Sequence, residues 1–315
     1  MQFSVHVHVD DTNGESATVD TGPTSRNIKM IIQFDGTDFC GWQLQDDVRT
    51  VQGVLGDAIR ELTGTAVTLH SSSRTDSGVH ALAMPVGFQL DSNLPIRAFH
   101  RGLNSLLPRD LKVVTAEDAA PDFHTRYMHS TKSYRYRILN HQTALPLERR
   151  HSWHVPQTLD VEAMESAAEC LVGHHDFSSY RSVHCDAHSA VRTVDCLDVA
   201  IAEPHLVTLY VRAGGFLRNM VRIIAGTLVQ VGLGRFPPGW VREVLEARDR
   251  TRAGPTAPPQ GLFLVEVVYH PTQPPQGTPA GSPPSAQDGK GGPHVVRSDG
   301  PACDEHHGED TSGRQ

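Results

Sequence analysis

Ser71-Ser72-Ser73-Arg74-Thr75-Asp76-Ser77-Gly78-Val79-His80 is a run of small, polar and turn-forming residues set between two apolar stretches. Residues 66–69 before it and 84–90 after it have the composition of strands, so the run reads as a loop joining them. Gly78 can take the positive φ that a tight turn needs. Asp76 and Arg74 stand two positions apart within it. A carboxylate carried on a loop above a rigid sheet is a common way to present a nucleophile or a general acid or base. The plainer alternative is that Asp76 and the serines cap a turn.

Working outward, residues 27–34 alternate, with Ile28, Met30, Ile32 and Phe34 on one face, and predict a strand. Asp35-Gly36-Thr37 then turns the chain. Residues 50–64 predict a helix: Val51, Val54, Leu55, Ala58, Ile59 and Leu62 keep helical spacing, Thr50 can cap it and Gly64 can end it. A second helix is expected over 96–107, between Pro95 and Pro108, followed by a strand over 111–115. Strand, helix, strand, strand, helix, strand is the split βαβ pattern.

The second half has the same α+β character. Residues 132–139 predict a strand with Lys132, Tyr134, Tyr136 and Ile138 on one face and Ser133, Arg135 and Arg137 on the other. Asp160 can cap a helix running to Val172, with Gly173 after it. Residues 194–200 and 206–212 read as a strand pair. Residues 216–231 read as a mostly buried helix, and another helix follows Pro237-Pro238. Residues 262–269 read as a closing strand. The expected organisation is a weakly ordered leader over 1–25, an N-terminal α/β domain over 26–126, a C-terminal α/β domain over 127–270 and a disordered tail over 271–315.

The net charge of −8 is unevenly spread. Residues 1–25 hold four acids and no Lys or Arg, and 271–315 hold six acids and three bases, so 26–270 carry 26 acids and 25 bases. A nearly neutral body leaves room for a basic cleft. No apolar run approaches the roughly 18–20 residues of a spanning helix, and the acidic N-terminus matches neither a secretory signal nor a transit peptide. Five scattered cysteines read as free thiols of a reducing cytoplasm.

Three further features carry chemistry. In the helix over 216–231, Leu217, Met220, Val221, Ile224 and Leu228 form an apolar face, while Arg218, Arg222 and Gly226 make a separate stripe. An Arg on such a helix either snorkels to the surface or faces a buried acid, and Asp76 is a candidate partner. Gly226 would admit another backbone. Tyr134 and Tyr136 alternate with Lys132, Arg135 and Arg137, which suits either an amphipathic strand or contact with RNA. His174, His175, His184, Cys185 and His188 cluster without any standard zinc spacing, and no GxGxxG, Walker or GxSxG motif is present. A metal-dependent hydrolase built on that cluster is one alternative; an RNA-binding protein without catalysis is the other.

Taken in order, several stretches resemble the tRNA pseudouridine synthase family called TruA. They are Phe34-Asp35-Gly36-Thr37, Gly41-Trp42-Gln43, Arg74-Thr75-Asp76-Ser77-Gly78-Val79-His80, Phe123-His124, Lys132-Ser133-Tyr134-Arg135-Tyr136, Phe216-Leu217-Arg218-Asn219-Met220-Val221-Arg222 and Gly261-Leu262-Phe263-Leu264. Together they cover about residues 27–269. Ser73 and Ser77 depart from the pattern, standing where Gly and Ala are usual, and Gly214-Gly215 is also unusual.

The resemblance implies two RRM-like α/β domains sharing a mostly antiparallel sheet, with an RNA-binding cleft between them. It implies a homodimer that isomerises uridine to pseudouridine in the anticodon stem-loop of tRNA (nucleotides 38–40) without metal or organic cofactor. It gives Asp76 as the catalytic carboxylate, with Tyr134 and Arg222 beside it. Arg74, Tyr134, Arg126, Lys132 and Leu262 are the implied RNA contacts. Such chemistry needs the target base out of its stack. It also needs Asp76 ionised, which pairing with Arg222 would favour in a dry pocket.

Overall fold

A computed structural model of the chain describes residues 25–183, 185 and 187–270. The expected leader and tail lie outside the described residues. In chain order the first half contains β1 (Ser25–Phe34), α1 (Val51–Thr63), β2 (His70–Ser71), β3 (His80–Asp91), α2 (Leu103–Leu106) and β4 (Leu111–Ala119). The second half contains β5 (Ser130–Asn140), β6 (Trp153–Val155), α3 (Val161–Ala168), β7 (Gly173–Asp176), β8 (Val191–Glu203), β9 (Leu206–Ala213), α4 (Met220–Gly232), α5 (Trp240–Ala247) and β10 (Leu262–Tyr269).

The strands join one sheet in the order β4-β1-β3-β10-β5-β9-β8-β7, with β2 beside β3 and β6 beside β5. Most pairings are antiparallel, as expected. The exceptions are β5 with β6 and β10 with β3. The β10–β3 pairing is the seam between the halves, and it is short: Phe263 faces His80 and Leu264 faces Ala81. The last strand of the chain therefore closes onto the strand that leaves the Ser71–His80 loop.

Local chemistry accounts for the elements. Ile28, Met30, Ile32 and Phe34 are buried on one face of β1. The Thr50 side chain accepts the Gly53 amide and Gly64 ends α1 in the left-handed region. The Asp160 side chain accepts the Ala163 amide at the start of α3. Burial of the apolar face of each element, at about 25 cal/mol per Å², is what holds it to the sheet. No helix among the described residues is long and apolar enough to cross a membrane.

Four expectations are corrected. Residues 66–69 do not pair as a strand; Leu69 is buried, but only His70 and Ser71 reach β3, opposite Gly87 and Val86. β3 begins at His80 rather than Met84, so the loop is shorter than expected. The helix over 96–107 opens into a wide π turn at Ala98–Gly102 before α2. Residues 216–219 form a turn rather than the first turn of α4, because Asn219 sits at φ 62°, ψ 5°. Asn is one of the few non-Gly residues that tolerates that region.

Candidate active site

The loop over 72–79 is held from behind by the segment that follows β1. The Trp42 amide donates to the Thr75 carbonyl at 3.1 Å, the Gly78 amide to the Phe39 carbonyl at 3.3 Å, and the Ser77 hydroxyl to the same carbonyl at 3.3 Å. Gly41 lies at φ +85°, and a Cβ there would stand 2.7 Å from the Thr75 carbonyl oxygen. Only glycine allows this close approach. The motif residues around Asp35-Gly36 and Gly41-Trp42 are thus a cradle for the loop.

On that loop Asp76 is half-buried, and α4 brings Arg222 to it. The guanidinium Nη1 lies 3.5 Å from Asp76 Oδ2, with side-chain exposures of 15% and 28%. The pair is single-pronged, one guanidinium nitrogen to one carboxylate oxygen. Arg222 Nε donates to the Ala257 carbonyl at 2.8 Å, and Nη1 also donates to Asn219 Oδ1 at 2.9 Å. The guanidinium is therefore fixed by α4's own entry turn and by the strap over 254–261, and offers one nitrogen to the carboxylate.

That strap touches each part of the site. A Cβ on Gly226 would lie 1.8 Å from the Pro255 carbonyl oxygen, so Gly226 admits a backbone there. Tyr136 donates its hydroxyl to the Pro258 carbonyl at 2.7 Å. The Gly78 Cβ position lies 2.9 Å from the Pro259 ring. Leu262, buried, begins β10 opposite Tyr136.

Tyr134 reaches the same loop from β5 and is buried to 7% exposure. Its hydroxyl is 2.6 Å from Ser73 Oγ, and its ring meets Phe216 edge-on at 5.0 Å. Burial, against the opposing hydrogen bond from Ser73, pushes its pKa up to about 12, with Asp76 adding to the rise. At neutral pH it is a neutral phenol.

The remaining sequence-predicted residues are placed less centrally. Arg74 is exposed on the loop. Arg126 is exposed in the connection from β4 to β5, with its guanidinium 5.8 Å from the Tyr127 ring centre. Neither makes a contact with Asp76, Tyr134 or Arg222 among the described residues. Lys132 is half-buried on β5, on the Tyr134 face. Nothing in the sequence marks Ser73, Asn219, Ala257 or Pro259 as site residues. Gly226 was the one signal that another backbone had to approach.

The histidine cluster does not converge. His174 and His175 are neighbours on β7, so they point to opposite faces. His174 Nδ1 meets Thr193 Oγ1 at 2.9 Å and His175 Nε2 meets the Val172 carbonyl at 2.9 Å. His184 lies outside the described residues. The group whose ligand atoms do approach one another, among the described residues, is Asp35, His80 and His151. His80 is unsuited to a metal. Its Nδ1 accepts the Gly36 amide at 3.0 Å and its Nε2 faces the Gln260 carbonyl at 3.2 Å, so both ring nitrogens are spent. Burial, more than the neighbouring Asp35 can offset, lowers the His80 pKa and keeps the ring neutral. His80 is a tie across the seam.

Residues 30–128 and 167–270 match the family model described as tRNA pseudouridine synthase. The chain belongs to that family. Among similar curated proteins is tRNA pseudouridine synthase A of Myxococcus xanthus, 45% identical over 261 residues, 83% of this chain and 98% of that protein. The protein of the same name from Pelobacter propionicus is 46% identical over 244 residues, covering 78% of this chain and all of that one. A solved structure, that of the archaeal box H/ACA sRNP Nop10-Cbf5 complex, aligns over 72% of this chain and 60% of its own at a TM-score of 0.30 and 11% identity. That likeness is too slight to argue from. The α+β architecture and the large, mostly antiparallel sheet agree with the membership.

Proposed function

We propose that this protein isomerises uridine to pseudouridine in tRNA, with Asp76 as the catalytic carboxylate. The observation that carries the reading is the placement of Asp76. It stands half-buried on a loop clamped by the Gly36–Trp42 segment, 3.5 Å from a guanidinium that two other groups, the Ala257 carbonyl and Asn219 Oδ1, hold in place. A protein that only bound RNA would gain nothing from an acid facing phosphates.

The reaction is a rearrangement with no net loss of atoms. The bond from N1 to the sugar breaks, the uracil turns, C5 joins the sugar carbon, the C5 proton leaves and N1 gains one. Asp76 serves as nucleophile or base in this sequence. Arg222 pairs with the carboxylate and fixes its direction. Tyr134, its hydroxyl bonded to Ser73, floors the pocket under the uracil and helps move the C5 proton. Arg74, exposed two positions from Asp76, fills the gap that the extruded base leaves or meets a phosphate. Arg126, Lys132 and Leu262 extend the RNA surface. The substrate region is the anticodon stem-loop, the working form a homodimer, the two halves over 26–126 and 127–270 act as two domains, and the compartment is the cytoplasm.

The test is to incubate the full chain with an unmodified tRNA transcript and map pseudouridine nucleotide by nucleotide. Pseudouridine in the anticodon stem-loop supports the reading. Tight binding with no pseudouridine anywhere in the tRNA returns the protein to a binding role.

A further inference from the structure

We propose that Lys132 and Arg192 form a phosphate-binding site beside Tyr134, and that it holds a backbone phosphate of the RNA strand carrying the target uridine. The identity of the strand rests on the tRNA reading above; the anion site rests on the following geometry.

Strand register puts the two cations on one face. Lys132 faces Ala213 of β9, and Ala213 faces Val194 of β8. Side chains alternate along strands, so Tyr134, Lys132, Ala213, Val194 and Arg192 share the side that carries the active site. Lys132 lies two residues, roughly 7 Å, along β5 from Tyr134. Phe216, at the end of the Gly214-Gly215 link, packs on Tyr134 and joins the two patches.

Neither cation has a counter-charge among the described residues. Lys132 makes no side-chain hydrogen bond or ion pair there. Burial first, and then the Arg192 charge, lowers its pKa, and no carboxylate offsets them. Arg192 spends Nη1 on the carbonyls of Ser189 and Val191, at 2.9 and 2.6 Å. Those bonds fix the guanidinium plane and leave Nε and Nη2 to an incoming group. Gly215 runs alongside this edge, its Cβ position 4.0 Å from Arg192 Nε.

Two like charges partly withdrawn from water destabilise one another unless an anion joins them. A phosphate suits this pair: the planar guanidinium binds two oxygens and the ammonium acts as a point charge on a third. Such contacts set the register of a nucleic acid without reading its sequence. Here the site would fix how far the strand slides, and so which uridine reaches Asp76.

The experiment uses the full chain and unmodified tRNA. Binding is measured at several salt concentrations, with turnover measured alongside. Arg192→Gln is expected to raise KM about 5- to 10-fold with kcat within about 3-fold. The double variant, Lys132→Gln with Arg192→Gln, is expected to flatten the slope of log affinity against log salt by roughly 0.7–0.9, the value of one phosphate contact. Arg192→Lys keeps the charge and should retain the wild-type slope, which separates charge from fold. An unchanged salt slope and KM in the folded double variant would overturn the site, even if the wild type makes pseudouridine. If the slope flattens but the wild type makes no pseudouridine, the anion site stands and the enzymatic reading falls.

Discussion

The two faces of β5 treat charge in opposite ways. On the rear face Arg137 meets Glu148 at 3.1 Å, Ser133 donates to Glu266 at 3.2 Å, and Arg135 lies 5.1 Å from the Phe263 ring centre. Arg137 and Ser133 thus meet carboxylates within the protein, while Arg135 rests on a ring and leaves its buried Nε without a hydrogen-bond partner among the described residues. On the front face Lys132 and Arg192 have no counter-charge among the described residues, and Arg222 shares a single nitrogen with Asp76. Internally paired charge contributes to the fold, whereas charge left incomplete over a half-buried surface awaits a ligand. The difference locates the working surface more sharply than composition does, since the body as a whole is nearly neutral.

This contrast is broken most directly at Asp76. Asp76→Asn keeps the size and most hydrogen bonding of the side chain, so the fold and tRNA affinity are expected to survive. Turnover is expected to drop by at least ~10⁴-fold, the scale of removing a nucleophile. Single-turnover assays on folded mutant protein check this.

Arg222 comes next. Arg222→Ala removes the ties to Asp76, Asn219 and Ala257 together, and a loss of ~10²–10³-fold in kcat is expected, comparable to deleting one preorganised charge. Arg222→Lys keeps the charge without the fork and should retain only part of the activity. If the lysine variant equals wild type, the positioning role assigned to the guanidinium is wrong.

Gly226→Ala probes the strap rather than the charges. Its methyl group would fall on the Pro255 carbonyl, 1.8 Å away. A destabilisation of ~2–3 kcal/mol is expected from the forced backbone shift, measured by urea unfolding. Activity should fall beyond the folded fraction, because the Ala257 carbonyl that holds Arg222 moves with the strap.

The smallest effect concerns the rear face. Burial first lowers the His80 pKa, so the neutral ring is favoured in the folded state. Its contribution to stability is then full above the ordinary histidine pKa of about 6.5 and is lost as pH falls below that toward the folded value. The slope for one proton is at most about 1.4 kcal/mol per pH unit. Unfolding measured from pH 7.5 down to 5 should show it, and His80→Asn should reduce it. A His80 ring found protonated by NMR at pH 6.5 would contradict this.

Much of the fold is legible in the sequence because long amphipathic elements announce themselves. The spacing in α1, with Thr50 and Gly64 at its ends, and the alternation in β1 leave little choice. β6 and β7 escape notice because three or four residues hold no period. Residues 66–69 look like a strand because Val67 and Leu69 pack inward, yet packing is not pairing. The start of α4 is obscured because Phe216 and Leu217 continue its apolar pattern, while Asn219 breaks the helix through backbone conformation alone.

At the site, Asp76 and Arg222 are legible as types at meaningful positions. Their shared partners are not, since Asn219 acts through the turn it makes and Ala257 through a main-chain carbonyl. The Lys132 and Arg192 pair is also hidden. Sixty residues separate the two, and only the register of β5, β9 and β8 brings them to one face.

The central claim is that Asp76 makes this protein an isomerase of uridine in tRNA. Release of tritium from a tRNA transcribed with uridine tritiated at C5 tests it most directly, because C5 loses its hydrogen only when it becomes the point of attachment to the sugar. The account predicts release by the wild-type chain, mole for mole with pseudouridine formed, and none by Asp76→Asn bound to the same tRNA. No release by the wild type, or equal release by the variant, would contradict it.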